Sequence, residues 1–306
     1  MGQYLVRRLL LFVPTLWVAI TLVFLIFRLV PGDPAELIAG ELAPLEVVQA
    51  IRHQMGLDLP LPLQYLHYIA ALAHGDLGIS KVYQQGAGAQ VLSRLPATAA
   101  MAGLAMLLAL VAGVGAGMLA ALRRNTWLDY ASMLVAVGGI SFPGFWLGLM
   151  LIILFAVTLH LLPVAGFNGP SSLILPALTL AANQMAVIAR MTRTSMLEVL
   201  NQDYIRTARA KGLRERAVVV RHGLRNALIP TLTIVGLQLG YLLGGSIVVE
   251  TVFAWPGIGR LLIESIQMRD YTMVQAVVLF YAVLTLAVNL LVDLLYATLD
   301  PRVHYA

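Results

Sequence analysis

The sequence has 306 residues, of which 60% are hydrophobic and 11% are charged, with 20 basic and 15 acidic side chains and a net charge of +5. Soluble domains carry about 25% charged residues and about 45–50% apolar ones. This composition therefore excludes an ordinary soluble enzyme, a disordered chain and a fibrous repeat, and leaves an integral membrane protein with several spans. The absence of cysteine excludes thiol catalysis, a disulfide scaffold and a cysteine-ligated metal.

Long uncharged runs predict six membrane-spanning helices. A span needs about 20 apolar residues to cross a hydrocarbon core about 30 Å thick, and no run alternates as the strands of a barrel do. The uncharged stretch 130–188 is too long for one helix, and Pro163, Gly166 and the turn at 168–170 divide it in two. The fold class is thus all-α and polytopic, with spans expected at about 9–27, 98–122, 131–160, 172–190, 226–249 and 271–292.

The distribution of Lys and Arg predicts the orientation. Segment 190–225 contains nine basic and three acidic residues, whereas segment 31–97 contains three basic and six acidic ones. Because basic loops stay in the cytoplasm, we expect both termini to be cytoplasmic and 31–97 to lie outside. The basic excess then reflects topology, and binding to nucleic acid is not expected.

Segment 31–97 is the first of two polar segments. It opens on turn residues at 31–34 and is expected to form short amphipathic helices at 46–55 and 64–73. Its histidines lie near two aspartates, but their spacing matches no ligand motif, so solvated histidines are favoured over a metal site. The residues concerned are His53, His67, His74, Asp58 and Asp76. Arg28, at the outer end of the first span, is expected to snorkel to the lipid headgroups.

The second polar segment, 196–225, is predicted to form a compact cytoplasmic knob. Its apolar residues form one stripe at helical spacing, and Gly212 is expected to end this helix before a second one at about 214–224. The stripe consists of Leu197, Leu200, Tyr204, Ile205 and Ala208. A helix lying flat on the anionic membrane surface and a helix docking into a cytoplasmic partner both produce this pattern, and amphipathicity does not choose between them.

Small and polar residues within the spans indicate packing faces and a pathway through the membrane. Gly236, Gly240 and Gly244 repeat every four residues on the fifth span, which favours close helix packing over contact with a substrate. Polar side chains inside spans are pathway candidates, and an interhelical hydrogen bond is an equal alternative for each. These candidates are Asn183, Gln184, Gln238, Glu250 and Asn289.

Seven segments, taken in order, resemble a known family. They read VPGDP at 30–34, HGDLGIS at 74–80, ISFPGFWLG at 140–148, DYIRTARAKG at 203–212, HGLRNALIP at 222–230, VFAWPGIGRLL at 252–262 and RDY at 269–271. Each is a modest signal alone, but together they span essentially the whole chain. On these segments the sequence is similar to permease subunits of the bacterial ABC importers for dipeptides, oligopeptides, glutathione and nickel.

The resemblance implies a role for the knob. Permeases of ABC importers share a cytoplasmic motif, E-A-A-x3-G-x9-I-x-L-P, whose helix fits a groove on an ATPase subunit. The matching positions here are Arg206, Thr207, Ala208, Gly212, His222, Leu224 and Arg225. The spacing, both small residues at 208 and 212, and the leucine are kept, whereas the motif's Glu, Ile and Pro are replaced by Arg, His and Arg. Together with Leu197, Leu200, Tyr204 and Arg209, these residues are the expected ATPase-coupling site.

The same resemblance implies a type I ABC importer permease fold in the bacterial inner membrane. Residues 1–97 would form an N-terminal helix with an extracytoplasmic segment, and residues 98–298 the transmembrane core. The implied partners are a second homologous permease, two ATP-binding subunits and an extracytoplasmic substrate-binding protein. The chain would then be no enzyme and carry no cofactor or metal, since ATP and Mg²⁺ would be bound by the ATPase subunits. The sequence agrees in having no G-x4-G-K-[ST] phosphate loop.

The resemblance implies dipeptides or oligopeptides as the transported substrate, with glutathione or nickel as alternatives. A secondary transporter would need inverted repeats and ionisable relays inside its spans, and the sequence has neither feature. A non-transport membrane scaffold would have no use for the knob motif. Both alternatives are therefore disfavoured.

Overall fold

A computed structural model describes residues 2–29, 33–40 and 43–299, and these residues are helical almost throughout. The described residues divide into two compact units: unit 1 falls within 1–8, 99–255 and 288–306, and unit 2 within 9–98 and 256–287. The helices are α1 (Gly2–Leu29), α2 (Pro34–Ala39), α3 (Leu45–Gln54), α4 (Leu61–Ala73), α5 (Ala87–Leu122), α6 (Trp127–Ser141), α7 (Gly144–Leu151), α8 (Ile174–Leu200), α9 (Asp203–Ala210), α10 (Glu215–Ala217), α11 (Arg225–Val252), α12 (Ile258–Gln267) and α13 (Tyr271–Leu299).

Five described helical stretches are long and apolar enough to cross a membrane. They are Arg8–Leu29, Ala87–Leu122, Pro170–Leu200, Glu215–Val252 and Tyr271–Leu294. Each contains most of one predicted span, so five of the six spans have a counterpart in the fold. Two of these stretches begin well before the predicted membrane segment, because α5 starts at Ala87 and a π-helix at Val218–Leu224 joins α10 to α11.

The span predicted at 131–160 does not form one continuous helix. α6 ends at Ser141, Phe142 is extended with φ −96° and ψ +135°, and α7 begins at Gly144. The cause is Pro143, since a proline ring disfavours the helical conformation of the residue before it. α7 continues as a π-helix at Ile152–Thr158, so this part of the chain forms two short apolar helices.

Unit 1 is built around α8, which packs against α6, α7 and α11. Small residues allow these helices to approach closely: a Cβ atom added at Gly139 of α6 would lie 3.0 Å from the carbonyl oxygen of Ala182 on α8. Of the five long stretches, the one that contains α8 is the most enclosed, since 61% of the residues in its most apolar 18-residue segment are buried. α8 thus connects the membrane core of unit 1 directly to the knob that follows it.

Unit 2 contains the polar segment between the first two spans. The helices predicted at 46–55 and 64–73 are confirmed as α3 and α4. Asp33 caps α2 by accepting a hydrogen bond of 2.9 Å from the Ala35 amide, whereas residues 30–32 of the turn lie outside the described residues. His53 is exposed and pairs with Asp58 at 2.7 Å, and this hydrogen bond raises the pKa of His53.

Candidate functional site

The knob begins with two helices, not with the single helix that the apolar stripe predicts. α8 ends at Leu200, and α9 starts at Asp203 after a turn. The Asn201 side chain donates a hydrogen bond of 2.9 Å to the Leu197 carbonyl oxygen. Asparagine competes in this way for the backbone groups that would otherwise continue a helix, so α8 stops and α9 can turn away from its axis.

Most of the stripe packs against its own chain. Ile205 and Ala208 form a buried cluster with Val218 of the π-helix. Leu197 and Leu200 pack against a second buried cluster, which consists of Ala121, Met196, Val219 and Ala227. The amphipathic pattern therefore reflects contacts within the chain: Leu197 and Leu200 are half-buried, and Tyr204, which is 43% exposed, is the most accessible residue of the stripe.

Gly212 forms the elbow of the knob. Its φ is +75°, its amide donates to the Arg209 carbonyl at 2.9 Å, and the next amide, that of Leu213, donates to the Ala208 carbonyl at 3.4 Å. These two bonds define a Schellman motif, which satisfies the last carbonyls of a helix and favours glycine at the left-handed position. The prediction that Gly212 ends the helix is confirmed, and Leu213 lies just beyond the end, 44% exposed.

An ion pair closes the elbow. The Arg209 guanidinium donates two hydrogen bonds to the Glu215 carboxylate, at 2.7 and 3.1 Å, and thereby links α9 to α10. These hydrogen bonds hold the pKa of Glu215 below its usual range. Since both side chains are well exposed, the pair contributes only about 0.2–1 kcal/mol. Its main effect is to set the angle between the two helices.

The outer surface of the knob combines arginines with exposed apolar groups. We define the docking face as Tyr204, Arg206, Thr207, Arg209 and Leu213, all of which are exposed. The other motif positions lie elsewhere: His222 is half-buried in the π-helix, Leu224 packs against the Ala121 cluster, and Arg225 is exposed at the start of α11. Sequence reasoning missed Leu213, although an apolar residue directly after a helix-ending glycine could have indicated it.

A charged pair missing from the sequence prediction anchors α8 near the knob. Arg193 of α8 donates two hydrogen bonds of 2.7 Å to the Asp129 carboxylate of α6, and the Asn125 amide donates a third at 3.1 Å. The Asp129 side chain is only 2% exposed. The Arg193 hydrogen bonds hold the pKa of Asp129 below its usual range. The only signal in the sequence is an isolated acidic residue in the first turn of α6.

The pathway candidates occupy different environments. Gln238 of α11 donates a hydrogen bond to the Gln184 side chain of α8, so for this pair the interhelical alternative is realised. Glu250 is completely buried, whereas Asn183 and Asn289 are exposed on the surface of the chain. Gln184 and Gln238 are thus the two candidates that contact each other directly.

Two of the three glycines on the predicted face of α11 pack against α13. A Cβ atom at Gly236 would collide with the Val292 side chain of α13, and one at Gly240 would lie 3.5 Å from the Asn289 side-chain oxygen. Close packing therefore requires glycine at 236 and favours a small residue at 240. At Gly244 no other helix of the described residues comes within 4 Å of such a Cβ, so close packing at this position stays a prediction.

Comparison with solved structures defines the class of protein. The fold matches a chain of "an amino acid ABC transporter with histidines" with a TM-score of 0.55 and 18% identity, covering 68% of this chain and 94% of that one. It matches the MetNI methionine ABC transporter with a TM-score of 0.56 and 19% identity, covering 69% and 96%. The chain therefore has the all-α fold of an ABC importer permease, which confirms the predicted fold class.

Sequence comparison then gives the family. Residues 113–305 match the family described as "binding-protein-dependent transport system inner membrane component", and residues 1–102 match its N-terminal family. The chain is 49% identical, over 100% of both chains, to the "glutathione transport system permease protein GsiC" of Escherichia coli strain K12, and 48% identical, again over both full lengths, to that of Shigella boydii serotype 4. The chain belongs to this family and is the membrane-spanning permease component of a bacterial ABC importer of the inner membrane.

Proposed function

We propose that this permease imports short peptides, with glutathione as the first candidate. The support is the 49% identity, over the full length of both chains, to proteins named as glutathione transport permeases. Dipeptides and oligopeptides belong to the same chemical class, and nickel is the remaining alternative.

The partners proposed are a second homologous permease, two ATP-binding subunits and an extracytoplasmic substrate-binding protein. ATP and Mg²⁺ would be bound by the ATP-binding subunits, since this sequence has no phosphate loop. Both termini and the knob would then lie in the cytoplasm. Within this arrangement residues 1–97 supply the N-terminal helix and outer segment, and residues 98–298 supply the core that carries the knob.

Coupling to the ATPases is proposed to occur through the docking face. Tyr204 and Leu213 expose apolar surface beside the guanidinium groups of Arg206 and Arg209. Aromatic and arginine side chains are frequent hot spots of protein interfaces, and a basic rim favours an acidic partner surface. This exposed combination, on a knob whose apolar stripe is already buried, is the observation that carries the proposal.

The knob is built to move as a rigid body. Its inner side is packed against the ends of α5, α8 and α11 by the cluster around Met196 and Val219, and the π-helix joins it to α11 without a break. When the ATPase subunits close on ATP, displacement of the knob would therefore be transmitted to α8 and α11. Those helices carry Gln184 and Gln238, so their hydrogen bond is a candidate for a contact that changes between inward and outward access.

The test compares charge-changing variants of the docking face with an arginine control in cells that express the whole transporter. Arg206→Glu and Leu213→Asp place a negative charge on the docking face. They are expected to lower ATPase recovery, the amount of ATPase subunit that co-purifies with the permease, by about tenfold or more. Arg123→Glu makes the same charge change as Arg206→Glu at an exposed site outside the knob, and it is expected to leave recovery unchanged. Equal recovery with all three variants, at equal membrane levels of permease, would refute the docking face.

A further inference from the structure

Unit 2 contains a half-open cavity of about 570 Å³ that is separate from the knob. It lies where the end of α1, the α3–α4 pair, the loop at 76–81 and the start of α13 meet. Its polar lining includes Arg28, Gln64, Tyr68, Lys81, Tyr271 and Gln275. The volume is typical of a site for a small organic molecule, since such sites measure about 300–1,000 Å³.

Arg28 is held in this cavity by neutral groups. Its Nε donates to the Gln64 side-chain oxygen at 2.8 Å, and one Nη donates to the Tyr271 hydroxyl at 3.0 Å. Its guanidinium carbon also lies 5.2 Å from the centre of the Phe24 ring. These contacts replace the expected snorkelling to lipid, and no carboxylate among the described residues forms an ion pair with Arg28.

The partners of Arg28 are themselves fixed. The Gln64 amide nitrogen donates to the carbonyl oxygens of Leu57 and Leu59, at 3.1 and 2.8 Å, which turns its oxygen towards Arg28. The Tyr271 hydroxyl donates to the Phe27 carbonyl oxygen. Since a guanidinium has five N–H donors, these contacts orient Arg28 while leaving donors for a further acceptor.

A second group in the cavity can bind a further acceptor. The Tyr68 hydroxyl is buried beside the Gln275 side chain but forms no well-aligned hydrogen bond with a described residue, and burial raises the pKa of Tyr68. Burying a hydroxyl whose hydrogen bonding is incomplete costs free energy, so a ligand that accepts a hydrogen bond from Tyr68 would recover part of that cost. Lys81 adds a second positive charge to the lining, and Asp76 is engaged by the Gly78 amide at 2.8 Å.

The walls of the cavity are preorganised. Ser80 donates a hydrogen bond to the buried Asp270 carboxylate, which also accepts the amides of Val82 at 3.2 Å and Met273 at 3.1 Å. The segments HGDLGIS at 74–80 and RDY at 269–271 are thereby brought together, and neither has a part in the knob. A ligand would bind to a site whose walls are already ordered, which reduces the conformational entropy lost on binding.

We propose that this cavity is an oxyanion site in which Arg28 binds a carboxylate or phosphate group, assisted by the Tyr68 hydroxyl and Lys81. The guanidinium fork matches both groups. The oxyanion could come from a short peptide, which rests on the proposed function, or from the headgroup of an anionic lipid. The second source is independent of that function, since Arg28 and Tyr271 stand at the ends of two apolar stretches long enough to cross a membrane.

The test measures both sources on the complete transporter in nanodiscs, prepared without its substrate-binding protein. Calorimetric titration with glutathione, and with glutathione diethyl ester as the control that has no free carboxylate, reports a peptide carboxylate. Native mass spectrometry after exchange into phosphatidylglycerol reports a lipid. Arg28→Gln is expected to weaken whichever binding is observed by about 10- to 100-fold, and Arg94→Gln, an arginine of the same unit outside the cavity lining, is expected to leave it unchanged.

Tyr68→Phe tests the same site independently, in case Arg28→Gln fails to fold. It removes only a hydroxyl that forms no well-aligned hydrogen bond with a described residue, so the fold should persist, and the same binding should weaken by about 3- to 10-fold. Weaker glutathione binding identifies a carboxylate site, and loss of retained phosphatidylglycerol identifies a lipid site. Unchanged binding of both probes in Arg28→Gln and Tyr68→Phe would overturn the proposal. The amount of ATPase subunit that co-purifies with the permease is expected to be normal in both variants. Refutation of the oxyanion site would therefore leave the proposed function intact.

Discussion

The ion pair between Asp129 and Arg193 is expected to contribute strongly to the stability of unit 1. Asp129→Asn keeps the size of the side chain but removes its charge, so Arg193 loses the counter-ion for two hydrogen bonds of 2.7 Å. Because Asp129 is only 2% exposed, water cannot replace the missing carboxylate. The link between α6 and α8, just before the knob, should weaken.

The magnitude follows from the burial of the two partners. Removing one member of a fully buried pair costs about 3–5 kcal/mol. Since the Arg193 side chain is 26% exposed, solvent screens part of the charge interaction. We therefore expect the free energy of unfolding to fall by about 2–3 kcal/mol. At about 2–4 °C per kcal/mol for a unit of this size, the melting temperature should fall by about 4–12 °C.

The assay is thermal unfolding of the detergent-purified permease, followed by loss of the monodisperse peak. Asp203→Asn is the matched control, because Asp203 is 95% exposed and meets Arg206 at 3.3 Å. That variant should change the melting temperature by less than about 2 °C. If Asp129→Asn melts within 2 °C of the wild type, the argument from burial is refuted.

Three further predictions concern pH and glycine. The depressed pKa of Asp129 means that its stabilisation is complete above the unfolded pKa of about 3.9 and is lost as pH falls through the lower folded pKa. The difference in melting temperature between wild type and Asp129→Asn should therefore shrink as the pH falls below about 3.9. Gly236→Leu should collide with Val292 and lower stability by about 1–3 kcal/mol, whereas Gly244→Ala, with open space around it, should melt like the wild type. Gly212→Ala forces a side chain into φ +75° at a cost of about 1–2 kcal/mol, which should speed hydrogen exchange of the α9 amides by about fivefold or more.

Local physical signals explain the parts of the fold that the sequence predicts. The spans follow from uncharged length, and the elbow follows from the left-handed conformation at Gly212, which is a property of one residue. The break at Pro143 also has a local cause. Because both flanking stretches are uncharged, however, a prediction from hydropathy alone joins them into one span. The stripe failed for a different reason: helical spacing continues by coincidence from Leu200 to Tyr204 across a turn that Asn201 creates.

Long-range contacts explain what could not be predicted. Arg28 and Tyr271 are 243 positions apart in sequence, and Asp129 and Arg193 are 64 apart, so no periodicity connects either pair. An amphipathic pattern also does not say whether its apolar face meets its own chain or a partner. In the knob it meets its own chain, and the docking face could be identified only after burial was known.

ATP-dependent uptake of labelled glutathione by proteoliposomes that contain the complete transporter tests the central claim most directly. The account predicts that uptake requires ATP and the substrate-binding protein, and that it falls in parallel with ATPase recovery in the Leu213→Asp variant. Glutathione uptake that is driven by an ion gradient without ATP, or that is unchanged in Leu213→Asp, would contradict it.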